Sequence, residues 1–413
     1  MVQFKDYSLQ PFLQEAIQRI GFTHPTPIQE AMIPMILKKK SAIGQAHTGT
    51  GKSHSFLIPI VERLEVEEER VQAIITAPTR ELAEQLHLEL RKLIDETSLH
   101  SMLLIGGTDK LRTMEKLERQ PHIVIGTPGR IRDLVEEQAL QVHEADILVI
   151  DEADLAFDMG FIEDIDYFAS RMPKTLEMYV FSATIPENLR PFLNKYMSKP
   201  EHIQIGSKRP LTDGMHYSLV PVRSAERYTR LRDVMSAINP YLAIIFVNTR
   251  DQAEQLAQAL AKDGIPVGQI HGDLTPRERR RMMRRIRDLE YQYIVATDLA
   301  SRGIDIPGVS HVINYELPQD LQYFIHRVGR TARAGLEGHA ITLYRPSDEE
   351  DIDAIEAKGV PFTHEDVKDG EWVQLRPRQS RERRKKTTPK MRQGSKRTSK
   401  GHRPTAKERK RKR

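Results

Sequence analysis

Two short stretches carry residues whose types and spacing could do chemistry together. In "AHTGTGKS" (46–53) a run of small residues ends in Gly51, Lys52 and Ser53. Glycines let backbone N–H groups curl around phosphates. A lysine at this place reaches the outer phosphates, and the hydroxyl after it can ligate a divalent cation. The regular pattern begins with glycine, where Ala46 stands here. Further along, "ILVIDEAD" (147–154) runs an apolar strand into Asp151, Glu152 and Asp154. Carboxylates at the end of a buried strand are costly unless something pairs with them. With a phosphate loop as partner, Asp151 can hold a Mg2+ shell and Glu152 can orient and deprotonate an attacking water. Each stretch alone has a commoner meaning, a Gly/Thr-rich loop or a solvated helix start. Together they point to hydrolysis of a nucleoside triphosphate.

The elements that must position these groups follow a repeating pattern. "AIITAP" (73–78), "HIVIGTP" (122–128), "ILVID" (147–151) and "MYVFSAT" (178–184) read as buried strands ending in polar or turn residues. Between them, Leu82, Leu86, Leu90 and Leu93 recur at helical spacing in 80–94. Strands alternating with helices predict a parallel α/β sheet. The polar stretch "GSKRPLTDGM" (206–215) breaks the pattern and reads as a linker. The alternation then restarts, with strands at 242–249, 292–298 and 311–318 and a helix at 250–264 that Gly264 is placed to end. The expected fold is two α/β domains of similar architecture, at 1–207 and 216–375, joined by a linker at 208–215. The single tryptophan, Trp372, is expected to pack on the second domain.

Charge is distributed unevenly. Residues 376–413 carry 19 Lys or Arg against two acids, a net of +17. The remainder holds 44 basic and 56 acidic residues, a net of −12. A basic tail on an acidic body suits phosphate neutralisation on nucleic acid. The tail has almost no apolar residues and should not be forced into a fold. The chain has no cysteine, which excludes disulfides, thiolate metal sites and a cysteine nucleophile and fits a reducing cytoplasm. The N-terminus lacks a basic segment followed by an apolar core, so no secretion signal is expected. No stretch approaches the roughly 20 apolar residues of a membrane span, so no membrane partner is expected.

Over 1–345 an ordered series of short motifs resembles the DEAD-box RNA helicases, whose name is spelled by residues 151–154. The first half contains "GFTHPTPIQ" (21–29) with Phe4 upstream, the phosphate loop, "PTRELA" (78–83), "GG" (106–107), "TPGR" (127–130) and "SAT" (182–184). The second contains "FVNTR" (246–250), "HGD" (271–273), "ATDLASRGIDIP" (296–307) and "HRVGRTARAG" (326–335). The resemblance implies two tandem RecA-like domains, ATP and Mg2+ as cofactors, and RNA as partner. It resembles bacterial members tied to cold adaptation, ribosome assembly or RNA decay, with ribosomal particles or decay proteins as further partners. Alanine at 46 is common in that family, and Ser53 keeps the hydroxyl of its more usual threonine.

By the same resemblance, Gln29 reads the adenine edge, with Phe4 stacking on the base and Phe22 shaping that wall. An amide donates and accepts at once, so it matches adenine and not guanine, which implies ATP preference over GTP. Ala46, His47, Thr48, Gly49, Thr50, Gly51, Lys52 and Ser53 hold the phosphates, and Ser53 and Asp151 the Mg2+. Gly303 and Asp305 lie at the ribose. Arg330 and Arg333 reach the γ-phosphate from the second domain, a role that can contribute about 10³–10⁵ in rate. Arg327, Arg330 and Arg333 are spaced by three, which on a helix puts them on one side. The RNA track takes Thr79, Arg80, Gly106, Gly107, Thr127, Pro128, Gly129 and Arg130 from the first domain. Asn248, Thr249, Arg250, His271, Gly272 and Thr297 supply it from the second. Small residues and arginines suit recognition of the RNA backbone, which carries little sequence information. Asp154, Ser182, Thr184 and His326 couple the two domains. An ATP-gated clamp or annealer, or a DNA helicase of the same superfamily, are the competing readings.

Overall fold

The computed structural model describes residues 2–46, 50–205, 214–301, 306, 308–318, 321–331 and 337–376. His47, Thr48, Gly49, Gly303, Asp305 and Arg333, most of the expected linker, and the tail beyond residue 376 lie outside the described residues.

Seven parallel strands make the first sheet: β1 (Ala42–Gln45), β2 (Ala73–Thr76), β3 (Ser101–Leu104), β4 (Ile123–Gly126), β5 (Ile147–Ile150), β6 (Glu177–Ser182) and β7 (Glu201–Gln204). Their order is β3-β4-β2-β5-β6-β1-β7. The central strands β2, β4 and β5 are apolar because both faces are covered. Alternate residues serve opposite cores: Ile75, Ile125, Val149 and Phe181 face one, Ile74, Val124, Leu148 and Val180 the other. The helix Arg80–Ile94 lies on the first of these faces, burying Leu86, Leu90 and Leu93 and half-burying Leu82.

The second sheet contains β8 (Met215–Pro221), β9 (Ala243–Val247), β10 (Val267–Ile270), β11 (Tyr293–Thr297), β12 (His311–Asn314), β13 (Gly338–Tyr344), β14 (Thr363–Lys368) and β15 (Glu371–Gln374). Its order is β10-β11-β9-β12-β13-β8-β14-β15. Counted from β8, this repeats the first sheet strand for strand and adds one antiparallel edge strand, β15. The helix Arg250–Lys262 ends just before Gly264, whose φ of +79° suits glycine alone without strain. Trp372 on β15 packs half-buried against the second domain's core and lies 5.5 Å from the His339 ring. The likeness of the two halves is thus one of topology.

His339 pairs in register with His216 on β8 and His311 on β12, and its Nε2 lies 2.6 Å from Ser218 Oγ, which donates to Glu365. Burial, with His216 and His311 alongside, pushes His339 down to about 3. The unfolded imidazole titrates near its ordinary value of about 6.5. The folded form therefore resists a proton that the unfolded form takes, and stability is lost as pH falls from about 6.5 toward 3. Each pH unit in that window costs at most about 1.4 kcal/mol for one proton. Thermal melts at pH 7 and pH 5 should show a smaller acid loss for His339→Gln than for the wild type. Equal losses would remove His339 from this role.

Candidate nucleotide site and RNA track

The loops after β5, β6 and β1, neighbours in the first sheet, carry the candidate nucleotide residues. In open parallel sheets ligands bind along this carboxyl edge. After β1, Gly51 turns the chain at φ +89° and the helix Lys52–Arg63 begins. A Cβ on Gly51 would lie 2.6 Å from Gln29 Nε2, so glycine is what lets Gln29 close over the loop. Gln29 Nε2 donates to the Gly51 carbonyl at 3.1 Å, and its Oε1 accepts from the Thr26 N–H at 2.8 Å. Each end of the amide keeps capacity for one more hydrogen bond, one donor and one acceptor, which is what an adenine edge requires. Phe4, expected to stack on the base, is itself packed against protein. It is 4 % exposed, its ring lies 6.1 Å from Phe22, and Phe22 meets His54 edge-on at 4.7 Å. The aromatic wall is a packed stack, because a bare phenyl face would expose apolar surface to water.

After β5 the three carboxylates have different surroundings. Glu152 adopts left-handed backbone angles, φ 48° and ψ 55°, a conformation that costs a non-glycine residue about 1 kcal/mol or more. Its carboxylate meets Lys52 Nζ at 2.9 Å, and its N–H donates to Asp151 Oδ1 at 3.1 Å. Lys52 is only 7 % exposed and Asp151 3 %. Burial works against the lysine's charge, but Glu152 and Asp151 outweigh it and hold its pKa above the ordinary value. Burial also raises the Asp151 carboxyl, and Glu152 pushes the same way against Lys52. A buried and a partly buried carboxylate thus share one ammonium. That excess of negative charge, with the Ser53 hydroxyl one residue beyond Lys52, fits a hard divalent cation.

Asp154 faces elsewhere. Its N–H donates to Ser182 Oγ at 3.0 Å, and its Oδ2 accepts from Thr184 N and Oγ1 at 3.1 and 3.0 Å. His326, from the helix Leu321–Val328 of the second half, brings Nε2 to 3.6 Å from the same oxygen. Two further contacts join the halves, and sequence reasoning missed both. Tyr323 OH donates to Asp158 at 3.1 Å. Arg279 pairs with Glu81 while donating to the Ala300 carbonyl at 2.7 Å. Tyr323 stands three residues before His326, a spacing that could have flagged it. Arg279 is hidden among like residues.

Of the expected one-sided row of arginines, Arg333 lies outside the described residues, and Arg327 and Arg330 do not share one helix. The helix ends at Val328, so Arg330 lies beyond it, with Nε donating to the His326 carbonyl at 3.2 Å. Arg327 turns inward at 1 % exposure and grips Asp298 through two nitrogens, at 2.6 and 2.7 Å. It also donates to Asn248 Oδ1 at 2.9 Å. A buried guanidinium needs several acceptors, and the loops after β9, β11 and β12 supply them.

The RNA candidates occupy the other half of each sheet's edge. In the first domain they follow β2, β3 and β4, and in the second the topological equivalents β9, β10 and β11. Thr79 caps the Arg80–Ile94 helix by accepting from Leu82 N–H. The Arg80 guanidinium lies over Gly106 and Gly107, 2.8 Å from where a Cβ on either would sit. Thr127, Pro128 and Gly129 open the helix Pro128–Glu136, and Arg130 is buried there with two side-chain nitrogens lacking a partner. His271 is likewise buried with no hydrogen bond to either ring nitrogen. Thr249, Arg250 and Gly272 are exposed and Thr297 is buried. Asn248, expected on the track after β9, is half-buried. Its amide bonds Leu317 O and Arg327, and its N–H bonds Glu316, so it supports the track from inside.

Residues 26–192 match the DEAD/DEAH box helicase family, and residues 226–335 match the helicase conserved C-terminal domain. The DEAD-box ATP-dependent RNA helicase CshB of Bacillus cereus is 52 % identical over 388 residues, covering 93 % of this chain and 89 % of that protein. Its namesake in Bacillus subtilis is 51 % identical with the same coverage. The structure of S. cerevisiae Dbp5 bound to RNA and ADP BeF3 superposes with a TM-score of 0.80 at 28 % identity, covering 88 % of this chain and 95 % of that one.

Removing the ammonium should leave the buried Asp151 and the partly buried Glu152 without their cation. Lys52→Met is expected to destabilise the first domain by about 3–5 kcal/mol in urea melts. Adding Glu152→Gln should restore part of that loss. A double variant as unstable as the sum of the two singles would refute the coupling.

Proposed function

This chain belongs to the DEAD-box family of RNA helicases and is an RNA-dependent ATPase, and from that premise we propose how its residues work. The division into 1–207, a linker at 208–215, 216–375 and a basic tail from 376 sets two ligand-bearing edges against each other. ATP enters at the β1, β5 and β6 loops. Its adenine takes the remaining donor and acceptor of Gln29 beside the Phe4–Phe22 stack, and Asp305 and Gly303 meet the ribose. Residues 46–53 cradle the phosphates, and Ser53 and Asp151 hold the Mg2+ that neutralises their oxygens.

The Lys52–Glu152 pair supports a resting lock. The phosphates compete for Lys52, and Glu152, released from its partner, becomes free to orient a water and take its proton. Arg330 and Arg333 complete the charge stabilisation from the second domain, so hydrolysis needs the domains closed. RNA lies along the loops after β2, β3, β4, β9, β10 and β11. The observation that carries this reading is Asp154, which touches Ser182, Thr184 and His326 at once. Through it, the occupancy of the nucleotide loops is felt by the second domain. ATP and RNA each favour the closed form, so each strengthens the other's binding. Closure bends one strand out of a duplex, and hydrolysis reopens the cleft. We place this activity in the bacterial cytoplasm, on structured RNA in ribosome assembly or RNA decay at low temperature. The bacterial relatives and the basic tail support that setting.

Glu152→Gln tests the assignment. Under single-turnover conditions with saturating RNA, hydrolysis should fall by at least about 10²-fold. ATP binding should persist or tighten, because Lys52 loses its competing carboxylate. Near-normal hydrolysis would remove Glu152 from the chemistry.

A further inference from the structure

The helix Pro276–Arg287 follows β10 and carries seven arginines against one acid, Glu278. Glu278 is engaged in its own capping box with Thr275. Met283 and Ile286 anchor the helix in the second domain's core. Arg279 is tied to Glu81, and Arg285 to Glu290. The other five, Arg277, Arg280, Arg281, Arg284 and Arg287, are all exposed. Their spacing of three and four puts them in one stripe along the outer face. Among the described residues no carboxylate forms an ion pair with any of them. Besides Glu278 in the helix itself, Asp288 caps its C-terminal end and Glu84 lies across the cleft.

Five unpaired guanidiniums on one face repel one another, and residues 1–375 carry a net charge of −12. Such a stripe is unexpected on an acidic body unless an anion meets it. Its position narrows the choice of anion. The helix starts four residues after Gly272, on the half of the sheet edge that carries the RNA candidates. Across the cleft, Arg280 and Arg287 act on the same Glu84 carboxylate as Arg80. The stripe therefore continues the field of Arg80. Arg277 to Arg287 spans about 15 Å at 1.5 Å per residue, enough to follow more than one phosphate. Guanidinium forks match phosphate oxygens and carry no base preference.

We propose that the arginine stripe of the Pro276–Arg287 helix is a second RNA-phosphate surface, which holds the backbone of RNA flanking the strand in the cleft. It rests on the helicase reading above and adds a site outside the family motifs. Its purpose is retention. RNA held on the second domain alone stays bound when the cleft opens, so one RNA can be acted on repeatedly.

The test uses the full chain with R277Q/R281Q/R284Q, and R277K/R281K/R284K as the charge-preserving control. Circular dichroism melts establish that both fold. RNA binding is titrated with salt on a duplex bearing a single-stranded overhang. Each lost phosphate contact should reduce the slope of log affinity on log salt by about 0.7–0.9, so the glutamine variant should lose roughly 2. Its half-saturating RNA concentration for ATPase should rise at least about tenfold, while the rate at saturating RNA holds, and the lysine variant should keep the wild-type slope. An unchanged slope in the glutamine variant, or an equal loss in the lysine variant, would overturn the inference. Wild-type ATPase that RNA does not stimulate would instead sink the helicase reading itself.

Discussion

The site is organised by a shortage of positive charge. At the carboxyl ends of β5 and β1, the buried Asp151 and the partly buried Glu152 both lean on the buried Lys52. Such an arrangement is tolerable when each charge has a partner and costly when one is removed. It explains why Glu152 accepts a left-handed backbone, since that turn brings its carboxylate to the ammonium. It also separates the neighbouring acids by task. Asp154, two residues on, has no share in Lys52's hydrogen bonds and is held by Ser182, Thr184 and His326. We take the first set as the chemistry and the second as the linkage.

A repeated strand order gives this arrangement its reach. In the first domain the loops after β1, β5 and β6 carry the phosphate and coupling candidates and those after β2, β3 and β4 the RNA candidates. In the second, His326 and Arg330 follow β12 and the RNA candidates lie at β9, β10 and β11. Two ligands can then lie side by side in one cleft without competing for the same loops. Arg327 is central to the second copy. Buried among Asp298, Asn248 and Glu316, it ties together loops from β9, β11 and β12, which fixes the surface that Arg330 and the exposed Thr249 and Arg250 extend.

Much of this was legible in the residues, for physical reasons. Strands buried on both faces, such as β2, β5 and β9, are continuous apolar runs and stand out. The strands β7 ("EHIQ"), β10 ("VGQI") and β15 ("EWVQ") lie at or near sheet edges, are partly exposed, and carry no such signal. The phosphate loop and its acidic partner are recognisable because backbone geometry and charge demand particular residue types. The spacing of three put Arg330 on one helical face with Arg327, and a spacing says nothing about where a helix stops, here at Val328 between them. For Asn248, only the fold reveals that Arg327 and Leu317 take up its amide. Phe4 and Phe22 were legible as parts of one wall, and the fold adds that their rings stack on each other. The arginine stripe was present as composition and gained meaning once the helix fixed which five side chains share a face.

The central claim is that ATP and RNA together close the two domains through Asp154 and His326. The chain has no cysteine, so two introduced ones report cleanly. Leu111 and Leu289, exposed on the first and second domains, are suitable positions for a donor and an acceptor dye. Single-molecule energy transfer should show one short-distance population only when a non-hydrolysable ATP analogue and RNA are both present, with Asp154→Ala abolishing it. The same short distance with either ligand alone, or a distance unaffected by both, would contradict the account.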